Sequence, residues 1–312
     1  MTAGRIPILI DTDPGQDDAV AILLACAHPG ELDLRAVTAV AGNVPVGQAT
    51  ANVLRILDLA GREEAPVHRG AEAPLLYPLE TAEFVCGPDG LTGADLPVSA
   101  RRASPGHAAE ALVAALRAAP ARSVTLCALG PLTNLALAFR LAPDALGHVE
   151  RIVLMGGALG LGNMTPAAEF NAYVDPHAAA IVFGAGVPIV MFGLHATHQA
   201  VPNDDEMARL AALGGRSAAA AHGMMTRPRA GGLGTAGHPM HDPLVIAWLL
   251  WPDLFQGRDC FVEVETGPGS QRGRTTIDWH GRLKRPPNAF VVDGVDARGF
   301  FARLIGSLSR LP

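Results

Sequence analysis

The chain has 312 residues, is 49% hydrophobic but only 5% aromatic, and carries a formal net charge of −6. That length can bury a substantial core, the acidic balance offers no basic stripe to a nucleic acid, and no apolar run reaches the roughly 20 residues that span a bilayer. Cys26, Cys86, Cys127 and Cys260 are scattered without metal-type spacing, and neither a basic segment nor an apolar signal region precedes the first strand, so a reduced, cytoplasmic protein is expected.

The first element is the apolar run Ile8-Leu9-Ile10, which reads as a strand buried on both faces. It ends in Asp11-Thr12-Asp13-Pro14-Gly15-Gln16-Asp17-Asp18, where Pro-Gly turns the chain out of the sheet. From Asp17 the apolar spacing fits a helix, which puts Asp17 and Asp18 in a first turn whose dipole tolerates negative charge. A second strand, Leu32 to Val40, ends at Ala41-Gly42-Asn43, and a helix over 47–60 leads to a short strand at 65–68. Residues 70–104 form a long Pro- and Gly-rich segment of the kind that is usually functional.

A helix over 105–119 precedes a strand over 123–129, and Gly130-Pro131-Leu132-Thr133-Asn134 opens the next helix. Strand 151–155 is followed by a Gly-rich loop with Asn163, Glu169 and Asn171, then by helix 175–184 and strand 187–192. One or two helices are expected in 203–226 and a loop in 227–240. His241-Asp242-Pro243 caps an apolar helix, short strands lie in 259–293, and a helix over 295–308 closes the chain. Alternating β and α units predict a single domain over 1–312: an α/β fold with an open, mainly parallel, doubly wound sheet and a small appended β-hairpin.

The strand-end loops collect carboxylates and amides. Four acids within Asp11–Asp18 would repel one another unless a cation sat among them, and oxygen ligands suit Ca2+ or Mg2+. A solvated acidic turn with a helix cap is the plain alternative for an isolated Asp pair. Without Lys or a nearby Arg, the set suits a neutral polyhydroxylated ligand better than a phosphate.

These ordered motifs resemble the inosine-uridine nucleoside hydrolase family, from Ile8 to the C-terminal helix. The match rests on the Asp11–Asp18 signature, Ala41-Gly42-Asn43, Gly130–Asn134, Met155-Gly156-Gly157, Glu169-Phe170-Asn171 with Val174-Asp175-Pro176, and His241-Asp242-Pro243. The resemblance implies a Rossmann-like nucleoside hydrolase fold, bound Ca2+, and hydrolysis of the N-glycosidic bond of a small-molecule ribonucleoside to ribose and free base. It implies Asp13 as general base, with Asp11, Asp18, Asp242 and the carbonyl of Leu129 around the calcium. Asp17, Asn163, Glu169 and Asn171 would hold the ribose hydroxyls, Asn43 and Met155 would line the pocket, and His241 would protonate the leaving base. Relatives are commonly homodimers or homotetramers, which is the assembly expected.

The chain departs from the family pattern in three places. Cys86 stands where many relatives carry His, and a thiol is a poor proton donor at neutral pH, so His241 or His238 is left to activate the base. His195 stands where an acid is expected and reads as a strand-end His satisfied by backbone. Loop 227–240 has no Tyr, Trp or Phe to stack on a base, so the choice of base stays open. Two other functions fit parts of the pattern. An Asp-x-Asp phosphatase would share the first motif but needs a Lys and further acids downstream, and a non-catalytic nucleoside or ribose sensor could keep the same pocket.

Overall fold

The structure, a computed structural model, describes residues 4–226 and 238–312. Its main sheet has eight strands: β1 (Ile6–Thr12), β2 (Leu32–Ala39), β3 (Val67–Arg69), β4 (Val124–Ala128), β5 (Val149–Met155), β6 (Ile189–Phe192), β7 (Phe255–Cys260) and β10 (Ala289–Val295). Two short strands, β8 (Val262–Val264) and β9 (Thr275–Ile277), form a separate antiparallel pair. The main order is β3-β2-β1-β4-β5-β6-β10-β7. All neighbours run parallel except β10 and β7. This is the mainly parallel, doubly wound α/β sheet expected from the alternating pattern.

Buried apolar strands take this form because helices cover both faces. Along β1, Ile8 and Ile10 pack into one core with the helix Gln16–Cys26, while Leu9 points through the sheet into the other core. The chain order reverses between β1 and β4, since β1 sends its connection to β2 on one side and β4 lies on the other. Such a switch point opens a crevice beyond the strands' carboxyl ends, where α/β sheets bind ligands. The Asp11–Asp18 segment leaves β1 at that point.

The expected C-terminal hairpin is more elaborate in the structure. β8 and β9 are the appended pair, but β10 also extends the main sheet beside β6, because Val291 and Val292 point to opposite faces and both are fully buried. β7 then closes that edge antiparallel. Among the described residues, no helix is long and apolar enough to cross a membrane. All four cysteines are buried and unpaired as thiols.

Candidate active site

At the end of β1, Asp13 is fully buried, and its carboxylate sits between two glycines from neighbouring strand ends. A Cβ on Gly42, after β2, or on Gly130, after β4, would overlap it. The family-like motifs Ala41-Gly42-Asn43 and Gly130-Pro131 therefore serve one purpose: they clear space for one carboxylate. Asp13 Oδ2 accepts from the Asn43 backbone N–H at 2.6 Å, whereas Oδ1 is buried with no hydrogen-bond partner. Burial, then the charges of Asp18 and Asp17, push its pKa well above the ordinary carboxylate value.

Asp18 lies in the first turn of the helix Gln16–Cys26. The Thr12 hydroxyl donates to its Oδ1 at 2.5 Å and the Gly15 N–H to its Oδ2 at 2.9 Å, with the Asn43 amide at 3.3 Å. Asp242 reaches the same place from the far side of the sequence. It occupies the N-cap position of the helix Pro243–Leu250, but its side chain makes no capping hydrogen bond. Its carboxyl group instead hydrogen-bonds that of Asp18, and its pKa is driven well up by burial and by the charges of Asp17, Asp18 and Asp13. Carboxylate oxygens of Asp17, Asp18 and Asp242 come within 4.8 Å of one another.

The expected ligand Asp11 stands apart from that trio. Its Oδ1 accepts from Thr38 at 2.5 Å and from Asn134 at 2.7 Å, and burial raises its pKa to about 7 with no neighbouring acid contributing. Its Oδ2 is buried without a partner. Asp17, expected on the ribose, also lies close to Asp18 and Asp242. The Leu129 carbonyl accepts from the Asn171 side-chain amide at 2.8 Å, and the same amide reaches the Met155 carbonyl at 3.1 Å.

A divalent cation fits this donor set. Buried carboxylates that converge and raise one another's pKa, with the Asp13 Oδ1 left unsatisfied beside them, are short of positive charge.

The remaining expected residues lie around this centre at different depths. Glu169 caps the helix Phe170–Val174, accepting from the N–H groups of Asn171, Gly157 and Ala172, and burial raises its pKa to about 7. Asn171 and Met155 are buried, and Asn43 is half-buried. Asn163 is exposed, and its Oδ1 accepts from the Phe170 N–H at 2.9 Å. It shapes the loop and stays at the outer edge.

The half-buried His241, next in sequence to Asp242, has Nδ1 2.7 Å from the Thr197 hydroxyl, and the His198 ring packs edge-on against it at 5.6 Å. Cys86 is buried, with Sγ donating to the Ala82 carbonyl at 3.3 Å. Burial, then Asp13, pushes its thiol to about 12, so it holds its proton. The His195 Nδ1 accepts from the Leu159 N–H at 3.0 Å, and burial lowers its pKa, so it acts as a neutral backbone tie. His238 is half-buried just before Met240, whose N–H donates to the Ala200 carbonyl. Residues 227–237 of the non-aromatic loop lie outside the described residues.

Pattern reading alone misses the residues that hold the acids in place. Asn134 bonds Asp11, the Ala39 carbonyl and the Ala71 N–H, which ties β1, β2 and the following loop together. Thr133 donates to Asp175, which also accepts from Leu75 and caps the helix Pro176–Phe183. Their only sequence signal is membership of the motifs Gly130–Asn134 and Val174–Pro176.

A doubly wound sheet with a cluster of buried acids at its switch point places the chain among the α/β proteins that bind ligands beyond their strand ends. The particular family follows from comparison with known proteins. The inosine-uridine preferring nucleoside hydrolase pattern matches residues 8–302, and the chain belongs to that family. It is 44% identical over 307 residues to the pyrimidine-specific ribonucleoside hydrolase RihA of Shewanella sp. (strain MR-7), covering 97% of this chain and 96% of that one. The solved purine-preferring ribonucleoside hydrolase from Gardnerella vaginalis superposes with a TM-score of 0.86 at 30% identity, covering 97% and 98% of the two chains. A plant nucleoside hydrolase gives 0.87 at 31%, covering 97% and 99%. The chain is an enzyme that hydrolyses ribonucleosides.

Proposed function

We propose that the chain is a calcium-dependent hydrolase of pyrimidine ribonucleosides, in which the acid cage binds ribose and activates the attacking water while His241 protonates the leaving base. The observation that carries this reading is the buried Asp13 Oδ1, unpartnered and next to the Asp17, Asp18 and Asp242 cluster. The choice of pyrimidine rests on the relatives at 44% identity.

The glycosidic carbon departs through an oxocarbenium-like state. Buried carboxylates stabilise the positive charge that develops on the ring, and in a site without bulk water that stabilisation is strong. Asp13 accepts the proton of the attacking water through Oδ1. Asp17, Glu169 and Asn171 orient the ribose hydroxyls, with Asn43 and Met155 lining the pocket and Asn163 at its rim. Asp18 and Asp242, with Asp17, would hold the cation, and the Asp11 Oδ2 and the Leu129 carbonyl are the next oxygens available to it. When bound, that ion would offset the repulsion among the acids, polarise water and take up ribose hydroxyls. His241 donates a proton to the departing nitrogen. Holding all these groups in place is worth up to ~7–11 kcal/mol of the barrier in well-oriented systems.

The direct test is a reducing-sugar assay on a panel of purine and pyrimidine ribonucleosides, with a nucleoside monophosphate assayed for phosphate in parallel. Ribose released fastest from uridine or cytidine supports the reading. Phosphate release without glycosidic cleavage would replace it with a phosphatase, and ligand binding without turnover would replace it with a sensor.

A further inference from the structure

We propose that Arg272 is a positioning residue for ribose binding: it fixes the short helix Phe170–Val174, and with it the Asn171 side chain that meets the sugar hydroxyls. This role presupposes the place given to Asn171 on the ribose under the proposed function.

Arg272 is the one buried Lys or Arg among the described residues. Taking a guanidinium out of water is costly unless other groups replace the water. Here they do. The chain has two tyrosines, and the Arg272 guanidinium carbon lies over both rings, 3.8 Å from the centre of Tyr77 and 4.1 Å from that of Tyr173. Its Nη1 donates to the Glu80 carboxylate at 2.9 Å and its Nη2 to the Val174 carbonyl at 3.2 Å. A flat, forked and permanently charged group can stack and donate at the same time, which the compact ammonium of lysine cannot.

The partners come from three separate parts of the chain. Arg272 lies between β8 and β9, Tyr77 and Glu80 on the long segment 70–104, and Tyr173 and Val174 on the helix Phe170–Val174. The Tyr173 hydroxyl donates to Glu80 at 3.1 Å, and the Tyr77 hydroxyl to the Thr266 carbonyl at 2.9 Å. The backbone beside Arg272 also lies against the helix, since a Cβ on Gly273 would come within 2.4 Å of the Tyr173 Cα.

A helix of five residues makes too few hydrogen bonds of its own to hold its place. Its first turn is tied to strand ends: Glu169 caps it, and the Asn171 amide reaches the carbonyls of Leu129 and Met155. Its last turn is tied by Arg272. Asn171 and Tyr173 share one turn, so a shift at the Arg272 end passes directly to Asn171. Loss of Arg272 therefore reaches the ribose without removing any group that touches it.

The test is Arg272→Met, which keeps a long side chain and removes the charge and the planar group. Steady-state rates are measured on uridine and on p-nitrophenyl riboside, which share the ribose. KM is expected to rise about 10-fold or more on both, the scale for losing a group that orients a ligand-holding residue, with kcat within about 3-fold of wild type. A merely structural tie would lower the amount of active enzyme, and so kcat, and leave KM alone. Unchanged KM, or a rise confined to uridine, would overturn the proposal. Should Arg272→Met fail to fold, Tyr77→Leu and Tyr77→Phe decide, because Tyr77 lies on another segment and stacks on Arg272. Leu should raise KM about 3-fold or more on both substrates, and Phe, which keeps the ring, should match wild type. Wild-type KM in Tyr77→Leu, or equal rises in the two variants, would refute it. Asn171→Ala separates the proposal from its premise: if that variant leaves KM unchanged on both substrates, the premise fails whatever Arg272 does.

Discussion

The two sides of the pocket are built on different principles. On the ribose side, Asp13, Asp18 and Asp242 are buried; Gly42 and Gly130 cradle Asp13, and Thr12, Gly15 and Asn43 fix Asp13 and Asp18. On the base side stand a half-buried imidazole hydrogen-bonded to Thr197 and a thiol that keeps its proton. The ribose side is over-determined by strand ends from across the sheet, so its chemistry tolerates little change. The base side rests on the long segment 70–104 and on the residues leading into the helix Pro243–Leu250, which is where a family can alter its preference for a base without disturbing attack on the sugar.

The largest expected effect breaks the ribose side as a whole. Chelation should abolish turnover on every substrate and lower the melting temperature, since the acids then repel one another, and calcium should restore both. Full activity in protein shown by elemental analysis to be metal-free would dismantle the cage. Next in size is His241→Ala, which should slow natural nucleosides by about 100-fold or more and leave p-nitrophenyl riboside unchanged. Steady-state rates on the two substrates check it, and equal losses would move His241 to the ribose side.

A smaller effect comes from crowding the Asp13 cradle. Gly42→Ala sets a methyl group against the carboxylate, and overpacking of this kind costs about 1–3 kcal/mol. Denaturant melts should show that loss and turnover should fall on both substrates, whereas an unaffected enzyme would mean the cradle is looser than the geometry indicates.

The smallest effect is a pH dependence. The Glu169 carboxyl is held at about 7 by burial, above its ordinary value, so the folded state prefers it protonated. Its contribution to stability is fully present below the ordinary carboxylate range and is lost as pH rises through about 7. The melting temperature of chelated protein should therefore fall between about pH 5 and pH 8, and Glu169→Gln should flatten that decline. A melting temperature that rises across the window contradicts the assignment.

Much of the ribose side was legible in the sequence because it is local. A buried strand followed by Asp11–Asp18 puts carboxylates at a strand end whatever else the chain does, and alternating β and α units imply the parallel sheet. The identity of the convergent trio was not legible. Thr38 and Asn134 bind the Asp11 carboxylate within the sheet, while the first helical turn brings Asp17 to Asp18 and Asp242. Asp242 reads from its neighbours as a helix cap and only through the family resemblance as a partner of Asp18; its carboxyl group makes no cap bond and meets Asp18. Asn163 reads as a ligand by its motif yet spends its carbonyl on Phe170. Thr197 carries no signal at all, because the residue it bonds lies 44 positions away.

The contrast between the two sides is tested most directly by Asp13→Asn, measured as kcat on uridine and on p-nitrophenyl riboside in the same preparation. Water must be activated for either substrate, so the substitution should cost both about 10²–10⁴ in rate, the range for removing a general base. A loss confined to uridine would place Asp13 with the leaving group, and no loss on either would take the attacking base away from the end of β1.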